Sequence, residues 1–71
     1  MQETKTKPWD LPVAKIAEAV KGYRLEMDIS KFDFYTHAQI NSKTLDKVEA
    51  GTPVDHRIIA RIDRRWPRVF A

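Results

Sequence analysis

Apolar residues recur along this chain at three- and four-residue steps, and nowhere alternate long enough to mark a strand. Val13, Ile16, Ala17, Val20, Tyr23 and Met27 form one such stripe, the pattern of an amphipathic helix with one buried side. Its start is predicted near Asp10, which can cap, with Pro12 tolerated in the first turn. Gly22 interrupts the stripe at a cost of about 1 kcal/mol against Ala, which makes it a candidate for close approach by a neighbouring helix. A short second helix is predicted from a Ser30 cap to about Ala38. Ser30-Lys31-Phe32-Asp33 has the form of a capping box, and Phe34, Ala38 and Tyr35 are its candidate inward residues.

Asn41 is the next good cap and opens a third helix, Ser42 to about Ala50. Gly51 follows where a left-handed residue is wanted. Thr52-Pro53-Val54-Asp55 reads as a further start, with Thr52 as cap, Pro53 at the first helical position and Asp55 closing a box. Ile58, Ile59, Ile62 and Trp66 give this fourth helix its apolar stripe, and Pro67 ends it. Arg68-Val69-Phe70 is the only candidate strand, at three residues. The predicted class is all-α: a compact four-helix domain over residues 9–71 with a short C-terminal extension. Residues 1–8 read as a flexible polar arm carrying Lys5 and Lys7.

Size and composition narrow what this domain can do. A chain of 71 residues is one domain at most. It has no cysteine, so neither disulfides nor thiolate metal sites are available to it, and a reducing cytoplasm is the expected setting. No apolar run approaches the roughly 18 to 20 residues that span a bilayer, and MQETKTKPWD lacks the apolar segment of a secretory signal. No membrane partner is expected. The net charge of +3 is compatible with a polyanionic partner.

The residue types needed for catalysis are scattered. His37 and His56 have no metal-binding spacing, the two glycines form no phosphate loop, and the carboxylates fall at helix starts and on solvated positions. No catalytic residue, metal, cofactor or small-molecule substrate is expected.

The third helix is the more informative element. At about 100° per residue, Leu45 and Val48 point one way, with Asn41 and Thr44 beside them. Ser42, Lys43, Asp46, Lys47 and Ala50 point the other way. That outward side is small and polar with two lysines, and it lacks any bulky apolar residue that would keep the helix out of the major groove of DNA. On the fourth helix, Arg57, Arg61 and Arg64 share one side, with Arg65 and Arg68 nearby, a second basic surface suited to phosphate contact. Trp9, Trp66 and Phe70 either complete the core or form an exposed patch for a partner.

Asp28 to Gly51, DISKFDFYTHAQINSKTLDKVEAG, resembles the helix-turn-helix of Cro and the phage repressors, the XRE-like or lambda-repressor-like family. Ile29-Ser30 match the apolar residue and cap before the second helix, and Phe34 matches the apolar residue beyond that cap. Ile40-Asn41 match the turn. Thr44 to Gly51 match the family's Thr-apolar-x-x-apolar-Glu-x-Gly without a gap, and Pro53 follows where Pro is usual. Tyr35, Gln39 and Lys31 depart from it, standing where Ala, Gly and Gln are common.

The resemblance implies roles by position. Ser42, Lys43 and Lys47 would read bases from the helix at 42–50. Lys31 would contact phosphate near a helix N-terminus. Apart from the resemblance, Asn41, Thr44, and Arg57 and Arg61 of the basic side of the fourth helix are further expected phosphate contacts. Arg24 and Glu49 would form a structural ion pair. The function so implied is a sequence-specific regulator of transcription that binds double-stranded DNA, a Cro-like repressor of phage or mobile-element type, with homodimerisation as an option. The competing expectation is a protein-interaction module on the same fold that binds a host or polymerase protein. An excisionase-like architectural protein would need a β-hairpin wing that the pattern lacks.

Overall fold

A computed structural model describes residues 7–71. They form four helices, α1 (Val13–Glu26), α2 (Lys31–Ala38), α3 (Ser42–Glu49) and α4 (His56–Arg65), after a 3-10 turn at Pro8–Asp10. No strand occurs among the described residues. Residues 1–6 of the expected arm, Lys5 included, lie outside the described residues. Pro8 is half-buried in the 3-10 turn rather than in an arm.

The core draws on every helix. Ile16 and Val20 come from α1, Phe34 and Ala38 from α2, Leu45 and Val48 from α3, and Ile59 and Ile62 from α4. Ile40 from the α2–α3 turn and Val69 from the tail complete it. Each large apolar side chain withdrawn from water contributes about 1.5–3 kcal/mol. Trp9, Trp66 and Phe70 pack half-buried against this cluster. The Trp66 ring stacks on Phe34 at 5.3 Å and 12°, an offset-stacking distance favoured between aromatics. The tail turns back on itself, with the Val69 N–H donating to the Trp66 carbonyl at 3.0 Å. Arg68-Val69-Phe70 is therefore a turn, not a strand.

The first helix starts three residues later than its sequence suggests. Pro12 disfavours helical geometry at the residue before it, and Leu11 is extended at ψ 152°. Asp10 therefore closes the 3-10 turn, and α1 begins at Val13 with the Pro12 carbonyl accepting from Lys15 and Ile16. Two members of the expected stripe are exposed, Val13 and Met27. Gly22 faces solvent, and a Cβ there would meet no atom within 4 Å. No neighbouring helix approaches it.

The first three helices stop in the same way. A left-handed residue follows each, Asp28 (φ 56°), Gln39 (φ 60°) and Gly51 (φ 78°). At each stop the left-handed residue's N–H reaches back three residues: Asp28 to Leu25, Gln39 to Thr36 and Gly51 to Val48. The next N–H reaches back five: Ile29 to Arg24, Ile40 to Tyr35 and Thr52 to Lys47. This pair of bonds is the Schellman motif, which satisfies carbonyls orphaned at a helix end.

The third stop also relocates the start of α4. The Thr52 N–H closes α3, which takes the donor a capping box from Asp55 would need, and neither Thr52 nor Pro53 is helical. Asp55 is the cap instead, accepting from the Arg57 N–H at 2.9 Å.

Candidate nucleic-acid interface

Two caps fix the helix-turn-helix. Ser30 Oγ accepts from the Asp33 N–H at 3.1 Å, and Asn41 Oδ1 accepts from the Lys43 N–H at 2.8 Å. Each satisfies a donor left orphaned at a helix N-terminus. Between the caps, Gln39 takes the left-handed conformation that the resemblance associates with Gly.

Leu45 and Val48 anchor α3 by burial. Glu49 anchors it by charge: Arg24 Nε donates to Glu49 Oε2 at 2.8 Å, and its terminal nitrogens donate to Glu49 Oε1 and to the Ile29 carbonyl, both at 3.3 Å. The Arg24 and Glu49 side chains retain 11% and 6% of their exposure. Desolvating two such charges is expensive, and the near-bidentate geometry with an extra carbonyl partner is the arrangement that offsets it. The pair ties the last turn of α3 to α1 and to the corner before α2.

With that side committed, Ser42, Lys43, Asp46, Lys47 and Ala50 are all exposed. Asn41 is exposed and Thr44 half-buried beside them. Lys43 and Lys47 have no side-chain partner among the described residues.

Other expected contacts are already engaged within the chain. Lys31 Nζ lies 3.3 Å from Asp46 Oδ1, both side chains more than half exposed, a pair worth about 0–1 kcal/mol. It bridges the start of α2 to the outward side of α3. Its partners are 15 positions apart, and no sequence pattern links them. Arg57 grips Asp55 through two nitrogens, at 3.3 and 3.0 Å. The Arg57 side chain and backbone N–H hold the Asp55 carboxyl down, to about 2 from the usual 3.8, and Asp55 in return raises the Arg57 guanidinium. Arg61 donates to the Gln39 carbonyl at 3.2 Å, joining α4 to the α2–α3 turn.

His37 and His56 lie against different tryptophans, Trp66 at 6.3 Å and Trp9 at 5.9 Å. Among the described residues no cluster of three or more His, Cys, Asp or Glu could hold a metal. None of their helices is long and apolar enough to cross a membrane.

Compared with protein families, curated proteins and solved structures, the chain gives no match.

Proposed function

We propose that this chain binds double-stranded DNA sequence-specifically, as a small cytoplasmic regulator of the Cro-like repressor kind, by laying α3 in the major groove. One observation carries the reading: the Ser42–Lys43–Lys47 side of α3 stands exposed while its opposite side is locked by Leu45, Val48 and the Glu49–Arg24 pair. A single α-helix fits the major groove, about 12 Å wide, and lysine and serine donate to acceptors on guanine edges there. Lys31, Asn41, Thr44, Arg57 and Arg61 serve as phosphate contacts. Asn41 spends its carbonyl oxygen on the cap and keeps its amide donors for DNA.

The test is selection from random duplexes followed by a salt titration. A regulator enriches a motif and loses affinity steeply with salt, with log K falling by about 0.9 per log[salt] for each phosphate neutralised. A palindromic motif with half-sites about 34 Å apart identifies a homodimer.

A second reading has one observation in its favour. Leu25, Met27 and Phe32 are 62%, 52% and 63% exposed around the α1–α2 corner, apolar side chains of the kind a protein partner covers. A protein-interaction module would yield no motif and little salt dependence.

A further inference from the structure

A second basic feature is built on α4 and the end of α2. Between the C-terminal end of α2 and the last turns of α4 is a groove of about 320 Å³, lined by His37, Ala38, Gln39, Arg61, Arg64 and Arg65. No carboxylate lines it, and among the described residues none of its three arginines is ion-paired.

Part of this charge has a structural explanation. Helix C-termini favour cations, and α2 and α4 both end here. Each supplies about half a negative charge, roughly −1 against the formal +3 of the arginines. An excess of about two positive charges remains.

Two of the guanidinium groups are held in place. Arg61 is fixed by its bond to the Gln39 carbonyl. The Arg65 guanidinium lies 4.2 Å over the Trp66 ring, a cation–π distance. Trp66 stacks in turn on Phe34, which is fully buried. The Arg65 cation is thereby tied to the core through two rings. Planar guanidinium forks held in advance lose less freedom on capturing an anion, and their geometry matches phosphate oxygens.

We propose that this groove is a phosphate-binding site, in which Arg61, Arg64 and Arg65 converge on one phosphate group. It does not depend on α3 reading bases. Arg61, placed above among the DNA contacts, belongs by this assignment to the groove, together with Arg64 and Arg65. The phosphate can come from a duplex flanking α3 or from a free phosphorylated molecule.

The full chain is titrated with inorganic phosphate, and with sodium chloride at equal ionic strength, while the arginine Nε–H and backbone N–H signals are followed by NMR. The site requires saturable shifts at Arg61, Arg64, Arg65 and His37 with phosphate alone, and still signals at Ser42 and Lys43. Arg64→Gln, at an exposed position, should weaken phosphate about tenfold or more, since hydrogen bonds to charged groups are among the strongest. Arg64→Lys, which keeps the charge and loses the fork, should recover only part of that loss. Equal responses to chloride and phosphate, or shifts spread evenly over Lys31, Lys43 and Arg57, would overturn the site.

A second arm adds the selected duplex, or calf-thymus DNA if no motif emerges. Groove signals that move with DNA and pass to their phosphate-bound positions on adding inorganic phosphate assign the site to the DNA backbone. Groove signals that answer phosphate but ignore DNA assign it to a free phosphorylated ligand. The phosphate arm decides the groove even if DNA moves nothing on α3.

Discussion

The rows of cations on α3 and α4 are held by opposite means. On α3, the lysines are free and the helix beneath them is clamped, by Leu45 and Val48 in the core and by Glu49 on Arg24. On α4, the helix is seated by Ile59 and Ile62, and three of its four arginines are themselves engaged: Arg57 by Asp55, Arg61 by the Gln39 carbonyl, Arg65 by the Trp66 ring. An anchored helix with exposed, unpaired lysines suits the proposed contact with base edges. Guanidinium groups fixed in advance suit a single anion of set geometry. The residue choice follows the same division, lysine on α3 and arginine on α4.

The contrast breaks most readily at its clamp. Glu49→Ala leaves Arg24 buried without its countercharge, with only the Ile29 carbonyl to accept from it, and losing one member of such a pair typically costs about 3–5 kcal/mol. For a domain of this size each kcal/mol moves Tm by about 4–8 °C, so the variant should melt at least about 12 °C lower. Asp46→Ala removes only a surface pair and should stay within about 1 kcal/mol of the parent. Equal melting temperatures for the two would remove the clamp from the account.

A smaller effect sharpens the lysine side. Lys43→Ala should relax preference at particular base pairs, by about 1–3 kcal/mol of discrimination. Lys31→Ala should weaken all sequences alike and lower the salt slope by about one. Identical sequence profiles for both variants would show that Lys43 reads no base.

The smallest effect belongs to α4. The Asp55 carboxyl is held at about 2 in the folded chain against 3.8 unperturbed. A folded value below the unfolded one stabilises above the unfolded value and is lost as pH falls through the folded one. The Asp55–Arg57 contribution should therefore be complete above pH 3.8 and fade toward about pH 2. Asp55→Asn keeps a capping oxygen and loses the titration, so its acid unfolding curve should be flatter in that interval. Superimposable curves would mean that the ion pair contributes nothing.

The caps and the inward stripes were readable because their causes are local. Ser30 and Asn41 act on N–H groups two or three residues away, and Phe34, Leu45, Val48 and Ile62 follow the helical period. The start of α4 was not readable, because Asp55, read as closing a box begun by Thr52, is itself a good capping residue, and the structure caps α4 with it. Pro12 misled for a related reason. Its restriction on Leu11 outweighed the capping potential of Asp10. The Arg24–Glu49 pair came from a resemblance alone, 25 residues being far beyond any periodic argument. The groove at Arg61, Arg64 and Arg65 needed the fold, because it forms only where the end of α2 meets α4.

The repeated stop that closes α1, α2 and α3 has a consequence for how the chain assembles. Every bond in it reaches back no more than five residues, so each corner is complete without help from the far end of the sequence. Proteins dominated by such neighbourly contacts reach their native topology within microseconds to milliseconds. For this chain the search reduces to arranging rods whose lengths are already cut.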